Sequence, residues 1–495
     1  MTRTGRRLAL LVMSLAVACG CGEKPSGPGG GLTVLCGAGI RPAMEPIKAA
    51  FEKANGCTVR VTYAGSGTLL GSLQAGVDAD LYLPGDAWWV DKARDAGLVD
   101  EQTTVAWFVP VIAVQKGNPK KITSLSDLAR DDVTVGLGKA EACAVGNVAA
   151  RLLAASSPAV KVEPRFEALT VNRLADQVKL EALDAAIIWD AIAKQYQDDI
   201  DVVMPEDANY HAVALAIGVL SNSANKDRAR AFAAFAAGER GAAAFRENHY
   251  RVPGKRLRMG CGSSMRPPFE ELAALFTQRT GCEVLRDYGS SGTVLLQIEE
   301  SKEGDVYVCH DPFAYVCEDR GISERWHTIA YLHPTLAVQK GNPKAVKGFG
   351  DLLRDDLNVG LSHREYSTRG RILWVMFREH GMAEAMKKRK VFEERTHTLV
   401  NQLKLGAVDV ATLWDAPAKA MEEIDVVSIE DEYKVDAVTS ATSGRTYSIE
   451  HVKVTVVRLK FSAEPLLAAQ FAKLCSSDEG RAILTKHCFD LPERR

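Results

Sequence analysis

Two serines stand where a bound anion would need them. Ser66 lies in Tyr63-Ala64-Gly65-Ser66-Gly67-Thr68 and Ser291 in Tyr288-Gly289-Ser290-Ser291-Gly292-Thr293, each in a run of small residues that opens a helix-forming stretch. A helix start exposes unpaired N–H groups and the positive end of the helix dipole. Small residues there let an oxyanion approach closely, and a serine hydroxyl adds a charge-assisted hydrogen bond. The loop before Pro42 is of the same kind. Serine at a helix start more commonly only caps it; the recurrence of the whole turn is what points to a ligand. A tetrahedral dianion held this way needs donors and a favourable potential, and no cation.

Other residues suggest other chemistry. Arg41 and Arg266 open the same helices and are candidate cationic clamps, although an arginine there is more often solvated. Cys36 and Cys261 precede the first loop of each repeat, where a helix start would activate a thiolate. Nucleophilic catalysis also needs an adjacent base. His211 and His310 are the conceivable ones, and no repeated histidine accompanies the repeated cysteine. Histidine and cysteine spacings give no HExxH or CxxC, which argues against zinc catalysis and cysteine-held metal. Trp88 and Trp89 read as packing residues.

The elements that would position these residues occur twice. Gln115-Lys116-Gly117-Asn118-Pro119 returns letter for letter at Gln339 to Pro343, and Trp189-Asp190-Ala191 returns as Trp414-Asp415-Ala416, at an offset of 224 to 225 residues. A period of that length marks two complete globular units. Strand and helix patterns alternate. Leu32 to Leu35, Cys57 to Tyr63 and Ala79 to Leu83 read as strands, with helices from Pro42 to Ala54, Thr68 to Ala75 and Trp88 to Ala96 between them. That order predicts a parallel, doubly wound α/β sheet. Val105 to Val114 reads as one long strand and Ala229 to Phe245 as one closing helix; 432–450 has no counterpart in the first repeat and reads as a surface insertion. The expected domains are 1–31, a signal peptide and tether, then 32–254 and 255–495, two substrate-binding units of two lobes each around a hinged cleft.

Arg3, Arg6 and Arg7 precede a short apolar run, Leu8 to Ala18, as in a secretory signal peptide. Ala16-Val17-Ala18-Cys19-Gly20 resembles a bacterial lipobox, with Cys19 the acylated residue, Cys21 the alternative, and plain secretion a third reading. Gly22 to Gly31 reads as a flexible tether. Of the eleven cysteines, Cys36, Cys57, Cys261 and Cys282 read as buried fillers and Cys475 with Cys488 as the candidate disulfide. A formal net charge of -2 argues against nucleic-acid binding.

The first-strand loop (Gly37-Ala38-Gly39-Ile40), the serine turn, the aspartate-bearing strand Ala79-Asp80-Leu81-Tyr82-Leu83 and Asp86 before Trp88-Trp89 follow one another as in a known family. In each repeat the chain resembles the periplasmic molybdate/tungstate-binding proteins of ABC importers, which have the type II periplasmic-binding fold. The resemblance implies an envelope protein that binds a small oxyanion, delivers it to an ABC permease and needs no cofactor; the lipobox-like Cys19 adds the expectation of a lipid anchor in the membrane. It carries the ligand contacts to Gly39, Ser66, Val145, Val171 and Trp189 in the first unit, and to Ser264, Ser291, Arg369, Thr396 and Trp414 in the second. Tryptophan stands where the family has tyrosine, Gly39 lacks a hydroxyl, and Asp190 and Asp415 would oppose an anion if they faced it. Counting hydroxyls, the second site is expected to bind an oxyanion more tightly. The alternatives are a lipoprotein that senses or binds another oxyanion or a metal ion, and a cysteine-dependent enzyme.

Overall fold

The computed structural model describes residues 31–363, 367–389, 391–394, 396–439, 444–448 and 451–493, with side chains omitted over 392–397. The expected signal peptide, tether and Cys19 lie outside the described residues.

Each repeat builds two five-stranded sheets. In the first, β1 (Leu32–Gly37), β2 (Val59–Ala64), β3 (Leu81–Leu83) and β4 (Val99–Phe108) form one lobe. Five strands form the other: β5 (Pro110–Gln115), β6 (Val135–Gly138), β7 (Phe166–Ala168), β8 (Ala185–Trp189) and β9 (Ile200–Val203). Strand β10 (Val213–Leu220) returns to the first lobe, giving the orders β2-β1-β3-β10-β4 and β7-β6-β8-β5-β9. The second repeat follows the same plan. Strands β11 (Arg256–Gly262), β12 (Glu283–Gly289), β13 (Val306–His310) and β14 (Ser323–Leu332) belong to one lobe, and β15 (Pro334–Gln339), β16 (Val359–Ser362), β17 (Val391–Glu394), β18 (Val410–Trp414) and β19 (Ile424–Val427) to the other. The insertion carries a hairpin, β20 (Ala437–Thr439) with β21 (Thr446–Ser448), before β22 (Val452–Leu459) returns.

Two expectations about the sheets are corrected. They are mixed: β10 runs antiparallel to β3 and β4, and β5 antiparallel to β8 and β9. The predicted long strand is broken at Val109, whose N–H is given to the Asp190 carboxylate at 3.0 Å while Pro110 starts a new strand in the other lobe. Proline has no N–H for a ladder and suits the first residue of a strand. His333, Pro334 and Asp415 repeat this break, with the His333 N–H 2.8 Å from Asp415. Each break is one of its repeat's two crossings between lobes, the other being the return into β10 or β22, and so forms part of the hinge.

The closing helix is two helices, Lys226–Ala237 and Glu239–Glu247. They meet so tightly that a Cβ on Gly241 would fall 2.0 Å from the Ala236 carbonyl. No disulfide joins Cys475 to Cys488: both are free thiols, Cys475 buried inside the helix Pro465–Ser476. Cys36, Cys57, Cys261 and Cys282 are buried and free, as expected of fillers. The cores are not fully separate, since Trp107, Val109, Ala208 and Ala212 pack into the second repeat's core. Beside them Arg458 pairs with Asp207 at 2.6 Å, and Tyr210 stacks on His327.

Candidate functional site

The first repeat closes a small cavity between its lobes, with about 20 Å³ of free volume. That is room on the scale of one or two water molecules, the scale of a small ion. Gly39, Ser66, Val145, Val171 and Trp189 all line it, together with Gly85, Phe108, Cys143, Ala144 and Thr170. No acidic, lysine, arginine or histidine side chain is among its lining residues.

Helix starts supply its polarity. Ser66 is the first residue of the helix Ser66–Gln74, Val145 the second of Ala144–Ala155, and Val171 the first of Val171–Lys179. Gly39 sits in the single turn Ala38–Ile40 that leads into the helix Arg41–Asn55. Several sets of unpaired N–H groups therefore face one space, from both lobes. The Ser66 hydroxyl accepts from the Gly85 N–H at 3.0 Å, so its own hydrogen remains to be donated. The Ser66 carbonyl is held by Tyr82 Oη at 2.8 Å and the Gly39 carbonyl by Tyr250 Oη at 2.6 Å. A Cβ on Gly39 would lie 2.9 Å from Val171 Cγ1; Val171 occupies the space a hydroxyl-bearing side chain would need. Trp189 is buried and stacked flat on Phe108, ring centroids 4.9 Å apart.

The lobes touch beside this cavity. The Gly67 N–H donates to the Ala142 carbonyl of the other lobe at 3.0 Å, and a Cβ on Gly67 would fall 2.1 Å from the Glu141 carbonyl. Arg151 reaches across to Asp86 at 3.1 Å. Asp190 does not oppose an anion: it is turned into the hinge, where it accepts from Val109 N–H and from Arg251 Nε at 2.7 Å. Burial raises its pKa, and these bonds hold it in the opposite direction.

The other candidates sort out simply. Arg41 and Arg266 lie over the rings of Tyr63 and Tyr288 instead of clamping the cleft. Trp88 packs edge-on against Trp89, as expected of packing residues. Cys36 and Cys261 are buried, and burial pushes both thiols up, the reverse of an activated nucleophile.

The second repeat places a more polar set at the same positions. Ser264 is half-buried in the turn Ser263–Met265, and Ser291 opens the helix Ser291–Ser301. Arg369 is buried at the second position of Thr368–Glu379; its Nε donates to Ser362 Oγ at 2.8 Å and its guanidinium lies 5.6 Å from the Trp414 ring. Burial pushes its pKa down to about 9. The Thr396 side chain lies outside the described residues. Asp415 again faces the hinge, bonded to His333 N–H and to Lys419 at 2.9 Å. His333, Asp415 and Asp490 place ligand-type atoms within 4.8 Å of one another. Lys419 already pairs with the buried carboxylate there, which leaves this group no strong claim as a metal centre.

Residue-by-residue reading missed Gly85, Cys143, Ala144, Thr170 and Phe108 as lining. It also missed that His310 takes the place of Gly85, a substitution visible once β3 and β13 are aligned on their registers with β1 and β11.

The family described as "bacterial extracellular solute-binding protein" matches residues 32–251 and again 257–490. The molybdate-binding protein ModA of Mycobacterium tuberculosis is 30% identical over 248 residues, 48% of this chain and 94% of that protein. A putative binding protein of Haemophilus influenzae is 27% identical over 194 residues, 39% of this chain and 79% of that one. The periplasmic molybdate-binding protein of Azotobacter vinelandii aligns with 45% of this chain and 100% of its own, at 17% identity and a TM-score of 0.38. Matched over both repeats, the chain belongs to the bacterial extracellular solute-binding proteins, binding proteins of the periplasmic type.

Proposed function

We propose that this protein is a lipid-anchored envelope protein that captures a tetrahedral oxyanion, of the molybdate or tungstate kind, and hands it to an ABC permease. On this reading 32–254 and 255–495 are two binding domains, each with a cleft between its lobes. The observation that carries it is the first cavity: helix starts from both lobes converge on a space for one small ion, and no charged side chain lines it. Neutral, fixed donors suit an ion that arrives fully deprotonated and gives up its water. The 30% identity to a molybdate-binding protein supports the choice of ion. The anchor rests on Cys19, or Cys21, and the tether on Gly22 to Gly31.

Thermal shift and calorimetry of the mature chain with molybdate, tungstate, sulfate, phosphate and divalent metals test the reading. A shift with molybdate or tungstate at low micromolar concentration is expected. Stabilisation by metals alone, or by nothing in the panel, would sink it. Mass spectrometry of the native N-terminus tests the anchor separately; a processed terminus without acyl groups removes that part only.

A further inference from the structure

The second cleft is more than a copy of the first with extra hydroxyls. Where Gly85 lines the first cavity, the second repeat has His310, whose ring packs 5.4 Å from Trp414 and 5.9 Å from Phe313. His310 Nδ1 lies 3.0 Å from the Asp311 carbonyl oxygen, which can only accept, so Nδ1 carries the hydrogen. Burial pushes the ring pKa down to about 4, and the nearby Arg369 charge acts in the same direction. The imidazole is neutral at physiological pH, and Nε2 is left as a bare acceptor with no hydrogen-bond partner among the described residues.

Ser291 gives an independent sign. The residue is 95% buried and its enclosed hydroxyl has no hydrogen-bond partner, whereas its counterpart Ser66 accepts from Gly85 N–H. Strand β13 runs on through His310, in register with Val454, where β3 stops at Leu83, and no such donor reaches Ser291. A buried polar atom left empty is costly unless a ligand fills it. Donors are present as well: the helix starts at Ser291 and Thr368, and the Arg369 charge.

We propose that the second cleft takes an oxyanion that still carries a proton, of the hydrogen-phosphate class, while the first takes a fully deprotonated one. The proposal rests on the reading that both clefts hold oxyanions. Its chemistry is complementarity of hydrogen bonds. Molybdate and sulfate at neutral pH offer acceptors only, so the His310 Nε2 lone pair would face another lone pair. Hydrogen phosphate brings an O–H that bonds to it. A site built around such a bond rejects the analogue lacking it more strongly than a site of donors alone can reject the protonated form. Hydroxyl counting made the second cleft a tighter version of the first; the acceptor at 310 makes it a site of another class.

Calorimetry on the full mature chain tests this with inorganic phosphate and molybdate, each alone and with the other already saturating. One equivalent of phosphate is expected to bind, undisplaced by molybdate, which fills the first cleft. His310→Phe keeps a ring but removes the acceptor and is expected to weaken phosphate by about 10- to 100-fold. His310→Gln restores an acceptor and is expected to recover most of that loss. Molybdate binding at the first cleft reports that the variants are folded. Two equivalents of molybdate with no phosphate bound would overturn the inference and leave the proposed function standing. So would phosphate binding equally well to His310→Phe. Failure of every oxyanion to bind would overturn both.

Discussion

The two clefts share a backbone and differ in what surrounds it. In the first, two carboxylates beside the cleft each meet an arginine: Asp86 meets Arg151 across the lobes and Asp190 meets Arg251 at the hinge. In the second, the position of Arg151 is Val375, and the position of Arg251 is Asp490. Charge has moved inward instead, to Arg369 in place of Val145, with His310 in place of Gly85. The helix starts, which depend only on where helices begin, are kept in both. Duplication therefore preserved the helix starts built into the fold and left the side chains around them free to change.

The sharpest way to break the comparison is to stop one cleft from closing. Gly67→Ala places a methyl group 2.1 Å from the Glu141 carbonyl. The lobes must then separate and lose several donor contacts. Molybdate affinity at the first cleft should fall by about 100-fold or more, with phosphate binding at the second unchanged. Equal loss in both clefts, or none, would show that the contact seen here does not control closure.

Asp311, the counterpart of Asp86, gives the next largest effect. It is almost wholly buried, its Oδ1 has no partner, and burial pushes its carboxyl up from 3.8 to about 6. Between those values the folded protein holds a proton that the unfolded chain has released. Stability should therefore fall as pH rises from about 4 to about 6 and then level off, by on the order of 2 kcal/mol. Val375→Arg would supply the cation that Arg151 supplies in the first repeat, and should flatten this dependence. Thermal melts of both proteins across that range decide it; a difference between them that does not vary with pH contradicts the assignment.

Ser66→Ala removes one donor from the first cleft and should weaken molybdate by about tenfold, as for one hydrogen bond to a charged group. Titration of the variant beside Ser291→Ala, which should weaken phosphate instead, sharpens the assignment of one ion to each cleft. The smallest effect belongs to Arg41. Its guanidinium sits 4.3 Å from the centre of the Tyr63 ring, on the surface, and Arg41→Met should change anion affinity by less than about twofold. A large loss would restore it as a clamp.

Much of this was legible in the chain. The repeat, the strand and helix alternation, the serine turns and the cysteine fillers follow from local patterns, because the hydrophobic period and the small residues at helix starts are local properties. The resemblance to a known family brought together five first-repeat positions that prove to line one cavity, since their spacing is set by the same succession of elements. Three-dimensional packing decided the rest. Only packing showed that Asp190 turns to Val109 and Arg251, which are far from it in sequence, and that a lone Val109 N–H taken by that carboxylate splits one apolar run into two strands in different lobes. It alone placed Trp107, Val109, Ala208 and Ala212 in the neighbouring repeat's core, and kept Cys475 in a helix apart from Cys488. Each of these depends on which distant group arrives to satisfy a buried atom, and no local pattern records that.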